Sequence, residues 1–250
     1  MKVGNRRSTD ITVTLVLAAL LLLPVYGFAQ TVESDTQGSR DLSRLQTIDE
    51  LYLESQISVQ ILKAQIMSDS LEHQLLGLAA MEDQLAAGTL DPHNREAFDA
   101  LTHVLEQGVF SVARSGNQVP YDYNPIVRHK AARIMGLVGT EEARKKLVQT
   151  VELDPDASVR TQALYALADI GEDPDGSVTF AIARMLRSEN LRQTPNDNAV
   201  FAALVAVERI NGNADSTMHS MVVDVLVDVA VGRGFNRLIR SKALQVLSLM

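Results

Sequence analysis

The chain has 250 residues, 46% of them apolar and 22% charged, so it can bury a core and is not globally disordered. A net charge of −8 and an aromatic content of 4% exclude the basic, base-stacking surface of a nucleic-acid binder. There is no cysteine, which excludes a disulfide framework, a thiol nucleophile and a lipid-bearing cysteine at a processing site.

The first residues follow the three-part grammar of a secretory signal. Lys2, Arg6 and Arg7 form a basic start, residues 11–25 are mainly apolar, and Gly27 and Ala29 offer small side chains for cleavage after Ala29. The competing reading is an uncleaved anchor. About 15 apolar-rich residues fall short of the roughly 20 a spanning helix needs, and Thr12, Thr14 and Pro24 weaken it further. The expectation is therefore residues 1–29 as a signal peptide and an exported, periplasmic product with no stable membrane span. Removing Lys2, Arg6, Arg7 and Asp10 takes away a net +2, which leaves −10 on the processed chain.

Residues 30–44, "QTVESDTQGSRDLSR", are polar and read as a flexible leader. From Leu45 the apolar residues Ile48, Leu51, Leu53, Ile57, Val59, Ile61, Leu62 and Ile66 fall largely at three- and four-residue spacings. This predicts a helix over 45–68 that caps the segment after it; the alternative is a coiled-coil partner helix.

Residues 69–250 repeat. In "DPDASVRTQALYALADIG" the residues Val159, Ala163, Leu164, Ala166, Leu167 and Ile170 share one helix face. Thirty-two residues earlier the same frame gives Val127, Ala131, Ala132, Ile134, Met135 and Val138. Forty later it gives Ala199, Ala203, Leu204, Ala206, Val207 and Ile210, and forty more give Ile239, Ala243, Leu244, Val246, Leu247 and Met250. A fainter copy is Leu71, Leu75, Leu76, Leu78 and Ala79. Recurrent small residues at one place predict helices that approach closely at every layer.

Second helices are predicted over 143–151, 178–186 and 221–230. Pro125 and Pro155 suit first turns, Asp156 is an N-cap candidate, and Gly88, Gly108, Gly139 and Gly171 are stop signals. Residues 115–124 read as a long polar loop, and residues 188–198 as an insertion-like one. The last frame ends on one helix, which is either a cap or an open interface. The pattern predicts an all-α chain: an α-α superhelix of antiparallel helix pairs.

The stretch resembles HEAT repeats, in particular the short kind associated with bilin-lyase-like proteins, and so an armadillo-type solenoid. Asp156, Val159, Arg160, Ala163, Leu167, Ile170 and Gly171 carry the resemblance, as do Val127, Arg128, Ala131, Val138 and Gly139. It is strongest over 124–171 and departs at Ala199-Val200 and Leu71-Glu72. The resemblance implies an interaction scaffold; two family activities, tetrapyrrole handling and iron held by His-Glu pairs, are also implied. The export signal speaks against the first. The second lacks any His-Glu dipeptide.

Chemistry is sparse. His73, His93, His103, His129 and His219 are scattered, with no two at metal-ligand spacing. "ARSGN" at Ser115 is not a nucleophile elbow, and "GRGFN" at 232–236 lacks the third glycine of a dinucleotide loop and reads as a helix–helix turn. No catalytic, metal or cofactor residues are assigned, and the chain is read as non-enzymatic.

Arg128, Arg160 and Arg240 share one repeat position. They are read as a ladder paired with carboxylates such as Asp154 or Asp156; the competing reading is an anion-binding stripe. Partner contacts are expected from exposed residues on second helices, namely Arg144, Lys145, Arg184 and Arg187. The functional expectation is an exported scaffold that holds a protein partner. The alternatives are a ligand-binding or lyase-like protein using the concave groove, and a structural subunit of a cell-envelope complex.

Overall fold

A computed structural model describes residues 48–107, 109, 124–211 and 219–250. The segments expected as a signal peptide (1–29) and a leader (30–44), Gly108, and residues 115–123 of the expected polar loop lie outside the described residues. The chain divides into residues 1–45 and 46–250, and every described residue belongs to the second unit.

Among the described residues all regular structure is helical. The ten helices are α1 (Ile48–Ile66), α2 (Leu71–Ala86), α3 (Arg95–Glu106), α4 (Pro125–Val138), α5 (Glu141–Leu153), α6 (Ala157–Ile170), α7 (Ser177–Asn190), α8 (Asp197–Asn211), α9 (His219–Val231) and α10 (Arg237–Leu247). Local chemistry sets their bounds. Asn124, Thr140, Asp156 and Asn236 accept hydrogen bonds from first-turn amides of α4, α5, α6 and α10, and Pro125 opens α4 where its missing N–H costs nothing. Pro155 stands one residue before the Asp156 cap, outside α6 rather than in its first turn. Gly139 (φ 64°) and Gly171 (φ 69°) close α4 and α6 in the left-handed region, where a side chain would be strained. Only Gly139 and Thr140 separate α4 from α5, so the chain must reverse there.

The helices pack in two rows. In one, α2, α4, α6, α8 and α10 follow each other as neighbours; in the other, α1, α3, α5, α7 and α9 do. Each helix of the second row also packs on the helix that comes after it: α1 on α2, α3 on α4, α5 on α6, α7 on α8 and α9 on α10. The predicted cap helix is thus the first member of the second row, touching α2 and α3, and α10 is seated on both α8 and α9. No pair covers its own apolar face, which is the physical basis of a helical solenoid.

The repeat frame is the core of the first row. All six framed residues of α4 and of α8 are buried. In α6 five are buried and Ile170 is half-buried against them. Small residues bring α4 and α6 together: a Cβ on Gly136 would lie 2.9 Å from the Ala166 Cβ and 3.0 Å from its Cα. The frame slips at the ends. In α2, Leu71 and Leu76 are exposed, while Gln74, Gly77, Leu78 and Met81 turn inward, and Gly77 meets Gln65 and Ile66 of α1. In α10, Leu244 is exposed. Both helices end the described row and have a row neighbour on one side only.

Candidate functional site

The turn between α5 and α6 is the electrostatic centre of the middle layers. Arg128, in the first turn of α4, donates from Nε to Asp154 Oδ2 (2.8 Å) and from Nη2 to Asp154 Oδ1 (3.0 Å). Both side chains are 1% exposed. The same Oδ1 accepts from the Asp156 amide (2.8 Å), so one carboxylate fixes both a guanidinium and the turn. Arg128 Nη1 also reaches the Gln107 carbonyl at the end of α3 (3.5 Å). Four helix ends therefore meet at one fork, whose planar shape matches a carboxylate's two oxygens.

The other arginines of the shared repeat position finish differently. Arg160 donates from Nη1 to the carbonyl oxygens of Asp154 (2.7 Å) and Pro155 (3.2 Å) instead of to a carboxylate. The reason is in the sequence: Asp154 is the C-cap of α5, and the C-cap of α7, the second helix of the Arg160 unit, is Leu191, which has no carboxylate to offer. Arg240 Nε is buried with no hydrogen-bond partner among the described residues. Asp156 serves the α6 cap, accepting from the Ser158 hydroxyl (2.6 Å) and from the amides of Ser158 and Val159. Burial pushes its carboxyl up, but these hydrogen bonds outweigh that and hold it below its ordinary range.

A second set of ion pairs joins successive layers at the surface. In the second row, Lys63 meets Glu96 (3.4 Å), Arg95 meets Glu142 (3.1 Å) and Arg184 meets Glu152 (2.8 Å). In the first row, Glu82 takes Lys130 and Arg133, Asp169 takes Arg209, and Glu208 takes Lys242. Neighbouring repeats are thus tied by charge as well as by apolar contact.

Of the residues nominated for partner contact, Arg144 is buried and cannot serve as an exposed contact. Its Nη2 lies 3.8 Å from Asp175, and its Nε has no hydrogen-bond partner among the described residues. Its position was readable: Arg144, Leu147 and Val151 share the inward face of α5 at three- and four-residue spacings. Lys145 is exposed and paired with Glu141 one turn back. Arg184 and Arg187 are exposed on α7.

Those two arginines belong to a stripe that sequence reasoning did not assemble. Phe180, Arg184, Arg187 and Leu191 run along α7 and its C-cap at spacings of four, three and four residues, and all are exposed. Arg184 lies over the Phe180 ring, 5.8 Å from its centroid. Leu191 is 87% exposed. Behind the stripe, buried Glu189 accepts from Arg192 (3.0 Å) and from the Asn196 amide (2.7 Å), which anchors the loop expected over 188–198. The 3.6-residue period of these four positions was the signal that could have found them.

Among the described residues no three histidine or carboxylate side chains come together in a group able to hold a metal ion. Among them, too, no helix is long and apolar enough to cross a membrane. The turn at 232–236 joins α9 to α10, where a Cβ on Gly232 would press on the Asp228 carbonyl.

The family model for HEAT repeats matches residues 117–193, which include α4 to α7. This similarity, with the helical rows, supports a HEAT-repeat protein. HEAT repeats typically act as scaffolds without chemistry of their own. A search of curated proteins finds no match to the chain.

Proposed function

We propose that this chain is a non-enzymatic, exported scaffold that holds a protein partner on the outward face of α7. The observation that carries this reading is the stripe Phe180, Arg184, Arg187 and Leu191. Aromatic and arginine side chains are the groups that most often dominate binding energy at protein interfaces. Here they stand exposed on a chain with net charge −8, so the stripe favours a partner whose face is acidic around an apolar spot. The similarity to HEAT repeats over 117–193 supports a scaffold and includes this helix.

Export rests on the signal grammar of residues 1–29. Cell fractionation with N-terminal sequencing of the recovered protein tests it; the expected first residue is Gln30. Capture from an envelope extract tests the binding face. A chain with Phe180→Ser, Arg184→Ser and Arg187→Ser is expected to lose the captured protein while its melting temperature stays near the parent's. Capture unchanged by the three substitutions would discard this face. A purified chain that carries a coloured or metal cofactor and captures no protein would discard the scaffold.

A further inference from the structure

The first layer carries apolar surface that its neighbours do not use. Helix α1 buries Val59, Leu62 and Ile66 and leaves Leu53, Ile57 and Ile61 at 57%, 59% and 55% exposure, with Ala64 exposed beside them. The four lie on one face at spacings of four, four and three, the pattern of a helix that packs along another helix. A groove of about 470 Å³ runs along them, bounded by Asn94 and Glu96.

Two sequence facts narrow what covers this face. Residues 30–44, which precede α1 in the expected processed chain, contain only Val32 and Leu42 as apolar side chains, too few to match the stripe. Between Glu54 and Lys63 there is no ionisable residue, so the centre of α1 is uncharged on a chain of net −8. Two copies can meet there without opposing like charges.

The stripe is also complementary to itself. Laid antiparallel about a two-fold axis near residue 59, Leu53 faces Ala64 of the other copy and Ile57 faces Ile61. The same register sets position 54, a glutamate, opposite Lys63, the basic residue of the last turn. A parallel arrangement stacks like charge on like. Lys63 is only loosely engaged in its own chain, 3.4 Å from Glu96 and 36% exposed. Antiparallel helices also oppose their dipoles favourably.

We infer that α1 is the interface of a two-fold dimer, in which the stripe Leu53, Ile57, Ile61 and Ala64 packs antiparallel on the same stripe of a second copy. This does not rest on the α7 reading, because the two faces share no residue. Sedimentation equilibrium on the full chain and on the chain from Gln30 is expected to give a dimer in both. Ile57→Asp with Ile61→Asp is expected to weaken association by at least about a hundredfold, since each copy loses two buried isoleucines, with helical circular dichroism unchanged.

Register has its own readout, because the chain has no cysteine. Leu53→Cys with Ala64→Cys is expected to give a covalent dimer under mild oxidation, and neither single variant is. Within one copy the two positions are about 16 Å apart along the helix and cannot join. The inference is overturned by a chain that stays monomeric to about 100 µM. It is equally overturned if the aspartate variant still dimerises, if a single cysteine links as well as the pair, if growth continues beyond two copies, or if only the full chain associates.

Discussion

The middle layers, α4 to α6, and the first layer, α1 and α2, are made from the same kinds of residue and end differently. In the middle, every framed leucine, valine and alanine has a neighbouring layer on both sides, and the apolar face disappears into the rows. In the first layer, the described neighbours lie on one side only, and Leu53, Ile57, Ile61, Leu71 and Leu76 remain outside. Charge divides the same way. The middle has one buried fork, Arg128 on Asp154; the first layer has the half-exposed pair of Lys63 and Glu96. The difference teaches that in a stacked fold burial is conferred by position in the row as much as by the residue itself.

The sharpest way to break the comparison is to remove one member of each ion pair. Arg128→Ala leaves the Asp154 carboxylate buried without its guanidinium and is expected to cost about 3–5 kcal/mol. For a chain of this size that lowers the melting temperature by about 10 °C. Lys63→Ala, made in the first layer, is expected to cost under about 1 kcal/mol. Thermal and urea unfolding of both variants check the contrast. Equal losses would mean that the buried fork holds the layers no more firmly than a surface pair does.

Packing gives the next effect. Gly136→Ala pushes a methyl group to 2.9 Å from Ala166, against backbone as well as side chain, and is expected to cost about 1–3 kcal/mol. Ala86→Leu, at an exposed position in the last turn of α2, meets no such wall and is expected to change stability by less than about 0.5 kcal/mol. If Gly136→Ala were neutral, α4 and α6 would be able to move apart cheaply, and the small-residue contact would not set their spacing.

Capping comes third. Asp156→Ala removes three hydrogen bonds at the start of α6 and is expected to cost about 1 kcal/mol near neutral pH. Ser70, at the start of α2, makes no side-chain cap bond, so Ser70→Ala is expected to be close to silent. The pH dependence gives a second check. The Asp156 carboxyl is held below its ordinary value of 3.8 in the folded chain, so its contribution is present above that value. It is lost as the pH falls through the lower folded value. The gap between the parent chain and Asp156→Ala should therefore narrow on going from pH 7 to pH 3.

These contrasts mark how far the sequence is legible. The six-residue frame locates α4 and α8 completely, because alanine and leucine at fixed offsets leave a helix only one face to bury. It slips in α2, where buried Gln74 and Gly77 carry no apolar signal, and in α10, where Leu244 has no row neighbour beyond it among the described residues. Asp154 can be nominated as an arginine partner because it stands in the turn beside the repeat. The carbonyl acceptors of Arg160 are not legible, since every residue has a carbonyl. Arg144 reads as exposed from its charge, although its spacing from Leu147 and Val151 places it inward. Residue type and position conflict there, and position decides.

A small effect on stability is also expected on the face proposed for a partner. Arg184 is 62% exposed and meets Glu152 at 2.8 Å, and Arg187 is exposed. Exposed pairs of this kind contribute little, because the charges are screened and two long side chains must be held still. Arg184→Ala with Arg187→Ala should therefore shift unfolding by less than about 0.5 kcal/mol, against the several expected for Arg128→Ala. The same change should weaken partner capture, and added salt should weaken capture by the parent chain, since the attraction to an acidic face is screened over about 8 Å at physiological ionic strength. A large loss of stability would assign Arg184 to the staple between α5 and α7. Capture that withstands both the substitutions and salt would place the partner on some other face of the rows.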